Sequence, residues 1–437
     1  MIAGILTLSL AFSSLMNNVV INNTGEISPS SITAKSGSPV DIQTAVNAIV
    51  ALGGGTVYVP AGTFTFNPTV SGAVNITFTK VPINIIGAGI GVTILRETIN
   101  PGSSSMFSRV WSGQNYNGSA VRISGISFVG FVVDESVTTN NAIRIANTQD
   151  FRIDHCSFQD FAQAAISTSG STGGTYNLIN RGVIDHCSFD NPYKDYWAPH
   201  NSSNPTWSVW GYGIIVLGNY YTWDTDLSHY LGQYYPTTVS SNPMGVSSYV
   251  PQPIYIEDCY FTRTRHAISS NGAAYYVSRY NYFEKSAPYG ANDVHGAVGT
   301  PAWGGRGMES YSNIFNFTDE SYSYGQDQAL EPRGGGGVCW NNTVILNPSY
   351  GTRTIGFGND GEVAPYDVEQ FYIWNNTAMW TNGTLVDFNS KIGVAPGSGF
   401  NGSENVNYFL RAPNQTLDGF TYTPYTYPLP LTSTGTT

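Results

Sequence analysis

One short segment recurs along this 437-residue chain and restricts its fold more than any other feature. It reads ISGISF (123–128), IDHCSF (153–158), IDHCSF (184–189), IEDCYF (256–261), SRYNYF (278–283), SYSNIF (310–315), CWNNTV (339–344) and IWNNTA (373–378). The shared pattern is a largely apolar first position, a polar two-residue turn, a small or apolar residue, and an apolar residue two positions later. The final positions, Phe128, Phe158, Phe189, Phe261, Phe283, Phe315, Val344 and Ala378, are spaced by 30, 31, 72, 22, 32, 29 and 34 residues. A period in that range, with strand-like alternation around a sharp corner, predicts a solenoid of stacked coils.

In IDHCSF the alternation places Ile153 inward, turns the corner with Asp154 and His155, and returns Cys156 and Phe158 to the interior. Each coil then supplies short parallel strands, covered above and below by its neighbours, with variable loops outside. The 72-residue interval between Phe189 and Phe261 predicts at least one degenerate coil plus a large excursion, because GYGIIVLGNYY (211–221) can supply a strand within it.

Ahead of the repeats, residues 38–55 carry a helix signal. Ser38 caps, Pro39 suits the first helical position, Asp41 completes a capping box, Ile42, Ala45, Val46 and Ile49 share one face, and Gly53 stops the helix. TVYVPAGTFTF (56–66) follows as two alternating strands about a Pro-Ala-Gly turn. Together, DIQTAVN and GGGTVYVPAGTFTF resemble the N-terminal cap and first coil of the pectin-lyase-like superfamily. The resemblance spans roughly residues 38 to 385 and implies an all-β, right-handed single-stranded parallel β-helix with an N-terminal capping helix. It implies no single activity, because one scaffold hosts lyases, hydrolases, tailspikes, adhesins and structural proteins. The expected organisation is an apolar N-terminal segment and linker (1–37), the β-helix (38–385) with an aromatic insertion at 190–253, and an extended C-terminal tail (386–437).

Charge narrows the partners. Thirteen arginines and five lysines face 29 acids, giving a net charge of −11, and no Lys/Arg-rich run occurs, which argues against nucleic acid. Cys156, Cys187, Cys259 and Cys339 all lie in repeat cores. Cys156 and Cys187 share a register and can meet, although packing as small apolar residues accounts for all four. Zinc is not expected without Cys-x-x-Cys spacing.

Residues 2–16 form an apolar run without a preceding basic residue, short for a membrane span and lacking a clear secretory cleavage pattern. Ten N-x-S/T sequons, at Asn22, Asn75, Asn117, Asn201, Asn316, Asn341, Asn375, Asn382, Asn401 and Asn414, with the scarcity of lysine and the Ser/Thr/Tyr-rich surface, lead to an expectation of covalent N-glycans and an extracellular or cell-surface location. Asn341 and Asn375 fall in coil turns, where asparagine is favoured on backbone grounds alone. The combination is similar to secreted or surface β-helix proteins of archaea.

The densest polar cluster is NDVHG (292–296), GGRGMES (304–310) and LEPRGGGG (330–337). Arg306 and Arg333 precede neighbouring rungs by similar offsets, nine residues before Phe315 and eleven before Val344, which predicts one face where they meet Asp293, His295, Glu309 and Glu331. Polysaccharide β-elimination needs a base, a cation for the uronic carboxylate and an acid for the leaving oxygen. Arg306 or His295 suits the base, Asp293 and Glu309 a calcium ion, and Arg333 the carboxylate. Arg–Glu pairing between adjacent coils accounts for the same residues without catalysis. IDHC resembles a segment of pectate lyases, yet the calcium-site and catalytic-arginine context of that family does not follow it; the paired aspartates and Gly-His-Gly segment of polygalacturonases are absent.

Within the insertion, Trp197, Trp207, Trp210 and Trp223 are candidates for glycan or subunit contact. The sequence therefore leads first to a glycosylated, self-associating surface protein with a structural or adhesive role, a filament or surface layer. The alternatives are a polysaccharide lyase acting on uronic-acid-containing glycans and a carbohydrate-binding adhesin.

Overall fold

The computed structural model describes residues 30–429 apart from 68–72, 76–80, 100–103, 111–119, 132–140, 147, 149, 170–179, 192–210, 219–230, 232–252, 273, 285–289, 297–303, 319–327, 350–351, 359–367 and 395–399. Their strands form three sheets of 12, 10 and 11 members, in which each strand pairs with its counterpart one coil earlier and one coil later. Among the described strands pairing is parallel, except where Thr377–Trp380 meets Leu385–Val386; a lone antiparallel bridge joins Asn271 and Gly304. This is a parallel β-helix, with one hydrophobic column enclosed by the sheets.

The repeat positions become rungs. Phe128, Phe158, Phe189, Phe261, Phe283, Phe315, Val344 and Ala378 stand in direct register in the third sheet. Their six phenylalanine rings stack with centroids 5.2, 5.0, 4.6, 5.0 and 4.7 Å apart. The corner is tighter than the sequence suggests. Asp154 is still in the strand, fully buried, and His155 alone turns the chain with φ 50°. The equivalent single-residue corners are Gly125, His186, Asp258, Tyr280, Ser312, Asn341 and Asn375, all left-handed.

After each corner one side chain returns to the interior. In three successive coils it is Cys156, Cys187 and Cys259, all free and buried, and in the next four it is Asn281, Asn313, Asn342 and Asn376. Each asparagine Oδ1 accepts from the backbone N–H one coil earlier: Cys259 to Asn281 2.9 Å, Asn281 to Asn313 2.9 Å, Asn313 to Asn342 3.1 Å and Asn342 to Asn376 2.9 Å. The ladder satisfies backbone donors at corners where the sheets cannot.

Across the 72-residue interval no rung intervenes in the first or third sheet. Phe189 pairs directly with Phe261 and Ile184 with Ile256. Tyr212–Leu217 is that coil's strand in the second sheet, between Ala164–Ser169 and Ile268–Asn271.

At the N-terminal end, helix α1 (Pro39–Ala51) starts at Ser38, whose side chain accepts from the Asp41 N–H at 3.2 Å. It buries Ile42, Ala45, Val46 and Ile49 over the first coil. The strands on either side of Pro60-Ala61-Gly62 diverge: Gly55–Tyr58 joins the first sheet and Gly62–Thr65 the third.

At the other end, pairing continues past residue 385, through Ile392–Val394 in the second sheet and Tyr408–Phe409 in the first. Beyond a four-residue helix, Gln415–Asp418, the chain turns back along the outer face of the first sheet. Phe420 packs on Tyr372, Tyr422 on Trp340 and Trp374, Tyr425 on Tyr255, and Tyr427 on Tyr280. Arg279, wholly buried, donates to the carbonyls of Tyr425 and Thr426, both at 2.8 Å, and Glu257 accepts from the Leu429 N–H at 3.0 Å. The Thr/Tyr/Pro segment, expected as an extended tail, is a strap on its own coils through residue 429.

Candidate functional site

The second sheet carries a row of polar residues on its outer side. Ser269, Asp293 and Glu331 are direct partners on the neighbouring strands Ile268–Asn271, Gly290–Val294 and Gln328–Pro332. Alternation sends the adjacent Ile268 and Leu330 into the core, so this row faces away from it. The row is nonetheless buried, with Ser269 4%, Asp293 0% and Glu331 5% exposed.

Asp293 is held on both oxygens. Arg333 grips it with Nε and Nη2, each at 2.9 Å, and the Ser269 hydroxyl donates at 2.6 Å. Glu331 accepts from the Gly290 N–H at 2.8 Å and lies 4.0 Å from Arg333 Nε. His266, 1% exposed, places Nδ1 2.6 Å from the Gly290 carbonyl. A carbonyl only accepts, so Nδ1 carries the proton and Nε2 keeps its lone pair. One ligand atom from each of His266, Asp293 and Glu331 falls within 4.8 Å of the other two.

These groups push one another's protonation apart. Burial acts to raise the Asp293 carboxyl, but the Arg333 guanidinium, hydrogen-bonded to both oxygens, outweighs it and holds Asp293 far below the usual carboxylate range. Burial lifts Glu331, and the Asp293 charge adds to that against the pull of Arg333. Burial brings His266 down to about 3, with Arg333 and Arg265 assisting and Asp293 opposing. The site thus holds an ionised Asp293, a Glu331 that retains its proton more readily than an ordinary carboxyl, and a neutral imidazole.

Of the six residues the sequence nominates, the structure gathers Asp293, Glu331 and Arg333, with His295 near enough to act on Asp293. Glu309 stands apart. It projects from Gly307–Tyr311 of the first sheet under the strap, and its oxygens accept from the Tyr275 and Tyr422 hydroxyls, both at 2.6 Å. Asp293 and Glu309 are therefore not paired for calcium. Arg306 is wholly buried just before Gly307–Tyr311, its N–H donating to Ala274 at 2.8 Å and its carbonyl accepting from Gly336 at 3.1 Å. The donor set His266, Asp293 and Glu331 is poor in oxygen for calcium, which takes six to eight, and the Arg333 fork already neutralises Asp293. His266 escapes sequence reading because TRTRH (262–266) matches no repeat position or motif.

Trp197, Trp207, Trp210 and Trp223 lie outside the described residues, as do the sequons at Asn22, Asn117 and Asn201. Asn341, Asn375, Asn382, Asn401 and Asn414 are exposed and Asn316 half-buried; the Asn75 side chain is outside the described set. Asn341 and Asn375 occupy left-handed corners at φ 54° and 51°, and Asn414 caps the last helix.

No protein-family profile matches the chain, and no curated protein does. Among solved structures it is similar to an alginate lyase from Paenibacillus sp. str. FPU-7, at 11% identity and a TM-score of 0.47, over 87% of this chain and 99% of that one. A mutant tailspike protein of E. coli bacteriophage HK620 in complex with a pentasaccharide shares 14% identity with a TM-score of 0.47, over 85% of this chain and 59% of the tailspike. A pectate lyase from Paenibacillus sp. 0602 shares 13% at 0.41, over 91% and 87%.

Proposed function

We propose that this protein cleaves a polysaccharide by proton transfer on the outer face of its second sheet, as a lyase of uronic-acid-containing glycans or a glycoside hydrolase. The supporting observation is the Asp293–Glu331 pair: neighbours in register, facing out of the core, with protonation driven in opposite directions. Glycosidic cleavage needs a group that gives a proton to the leaving oxygen beside one that holds negative charge or takes a proton. Glu331 is the acid. Asp293 is the fixed carboxylate, His266 Nε2 is a second acceptor, and Arg333 positions Asp293.

The expected extracellular setting and N-glycans belong to the same proposal. The C-terminal segment does not support self-assembly, because through residue 429 it docks on its own coils.

The test is incubation of the natively produced chain with a panel of uronic and neutral polysaccharides, following both reducing ends and the ultraviolet absorbance of unsaturated uronides. New reducing ends with the absorbance identify elimination; without it, hydrolysis. Glu331→Gln is expected to lower the rate about 100-fold or more while glycan binding persists. Absence of turnover across the panel, or a Glu331→Gln variant as active as wild type, overturns the reading.

A further inference from the structure

The IDHC repeat places histidines at two consecutive corners. His155 and His186 turn the chain at φ 50° and 52°, a left-handed conformation in which asparagine, aspartate and histidine are enriched among non-glycine residues, as Asp258, Asn341 and Asn375 also show. Both imidazoles are largely exposed, at 58% and 51% of the side chain. Their rings stack face to face, with centroids 4.9 Å apart and planes 5° from parallel.

Each ring is fixed by the carboxylate before it in the chain. His155 Nδ1 lies 2.9 Å from Asp154 Oδ2, and His186 Nδ1 lies 2.9 Å from Asp185 Oδ2. Those carboxylates are locked in turn by the preceding coil, Arg122 gripping Asp154 at 2.7 and 2.7 Å and Arg152 gripping Asp185 at 2.9 and 2.7 Å. Carboxylates held this way only accept, so Nδ1 of each neutral ring carries the proton and each Nε2 keeps a lone pair. Buried carboxylate behind, imidazole in front: this is the arrangement that orients metal-ligating histidines and raises their basicity.

We propose that His155 and His186 together bind a divalent cation of the borderline class, Zn²⁺, Ni²⁺ or Cu²⁺, through their Nε2 atoms, with water completing the shell. The shared hydrogen bond makes the rings translational copies, so their Nε2 atoms stand apart by nearly the 4.9 Å centroid spacing. Because the stacked planes are parallel, the two lone pairs also run parallel, and to share one ion the Nε2 atoms must close to about 3.3 Å while the rings unstack and turn toward each other. Both side chains are half exposed and have room for that turn. Hard cations are disfavoured, because the nearby carboxylate oxygens are committed to arginines.

The test is titration of the untagged, full-length chain with Cu²⁺ and Zn²⁺ by calorimetry, and electron paramagnetic resonance of the Cu²⁺ form. One ion per chain with hyperfine coupling to two imidazole nitrogens is expected. His155→Asn and His186→Asn, which suit the left-handed corners and keep the fold, are each expected to weaken binding at least tenfold, and the double variant to remove that ion. Hyperfine coupling to a single nitrogen overturns the proposal even without the variants, as does a double variant that binds as wild type does.

Discussion

Phe189 and Phe261 are 72 positions apart in the chain, yet their rings stack at 4.6 Å and 6° from parallel, the closest pair in the phenylalanine column. The chain between them leaves the column, contributes Tyr212–Leu217 to the second sheet and returns to the next rung. Loop-closure entropy rises only slowly with length, so a long excursion is tolerated where the rungs on either side are strong. Phe261→Ala is therefore expected to cost about 3–5 kcal/mol, because it opens a cavity between two stacked rings in a wholly buried column. A denaturant midpoint little changed from wild type would contradict the column's role.

The asparagine ladder gives a second expectation. Asn313 accepts from the Asn281 N–H, donates to the Ser278 carbonyl at 2.9 Å, and lies between Asn281 and Asn342. Asn313→Ala strands a buried donor and a buried acceptor, each worth about 1–3 kcal/mol, so a loss of at least about 2 kcal/mol is expected. Asn376, half-buried at the end of the row, should cost less when replaced by alanine, and the ordering of the two is read by thermal denaturation.

What the sequence discloses and what it conceals divide along the same line. The eight repeat positions are legible because a side chain that must match its neighbour above and below leaves a period in the chain. The helix at Pro39–Ala51 is legible because its cap and apolar face are local. Asp154 at the corner misleads because a polar residue beside a turn reads as exposed, whereas Arg122 from the previous coil lets it be buried. The long interval misleads because chain length is no measure of coil number. Asp293, Glu331 and Arg333 are nominated as part of one polar cluster, but Glu309, in the same cluster, faces a different sheet, a distinction made only by which strand each enters. His266 joins the site through coil geometry alone.

Acid stability should report on His266. Its folded pKa, about 3, lies below the unfolded value of about 6.5, so the unfolded chain binds the extra proton first. The stability this group supplies is complete above about pH 6.5 and is lost as pH falls toward 3, at up to about 1.4 kcal/mol per unit. Glu331 works the other way, since its raised pKa favours the folded state as acid is added. The difference between wild type and His266→Asn isolates the histidine: the variant keeps a donor for the Gly290 carbonyl and should lose less stability between pH 6.5 and 4. Parallel curves would show that His266 does not stay neutral in the fold.

If Glu331 is the acid of the cleavage reaction, activity follows its proton. A carboxyl raised by burial and by Asp293 is protonated at low pH and loses that form as pH rises through its folded pKa, so the rate should fall on the alkaline side. Asp293→Asn removes the neighbouring charge that helps to lift Glu331. The alkaline limb in that variant is expected to move to lower pH, while an unmoved limb would assign it to another group.

The strap makes the last prediction. Tyr422 bridges the Glu309 carboxylate and the Trp340 indole, whose Nε1 donates to its hydroxyl at 3.3 Å, and Glu309 also accepts from Tyr275. Beneath lie Tyr255, Tyr275, Val277, Tyr311, Val338 and Tyr372, an apolar cluster on the outside of a sheet whose other face already borders the core. Such a surface is not left open to water without consequence. Removing the chain from residue 420 onward also takes away the carbonyl partners of the buried Arg279. The truncated protein should therefore unfold at lower denaturant, bind more of a hydrophobic dye than the intact chain does, and associate in solution. Tyr422→Phe is the milder probe: it keeps the ring but removes the hydroxyl from a buried carboxylate, at about 1.5–3 kcal/mol. A truncation that leaves stability and dye binding unchanged would mean that the strap merely rests on the coils. A large loss from truncation with a small one from Tyr422→Phe would instead assign its hold to Arg279 and the aromatic contacts.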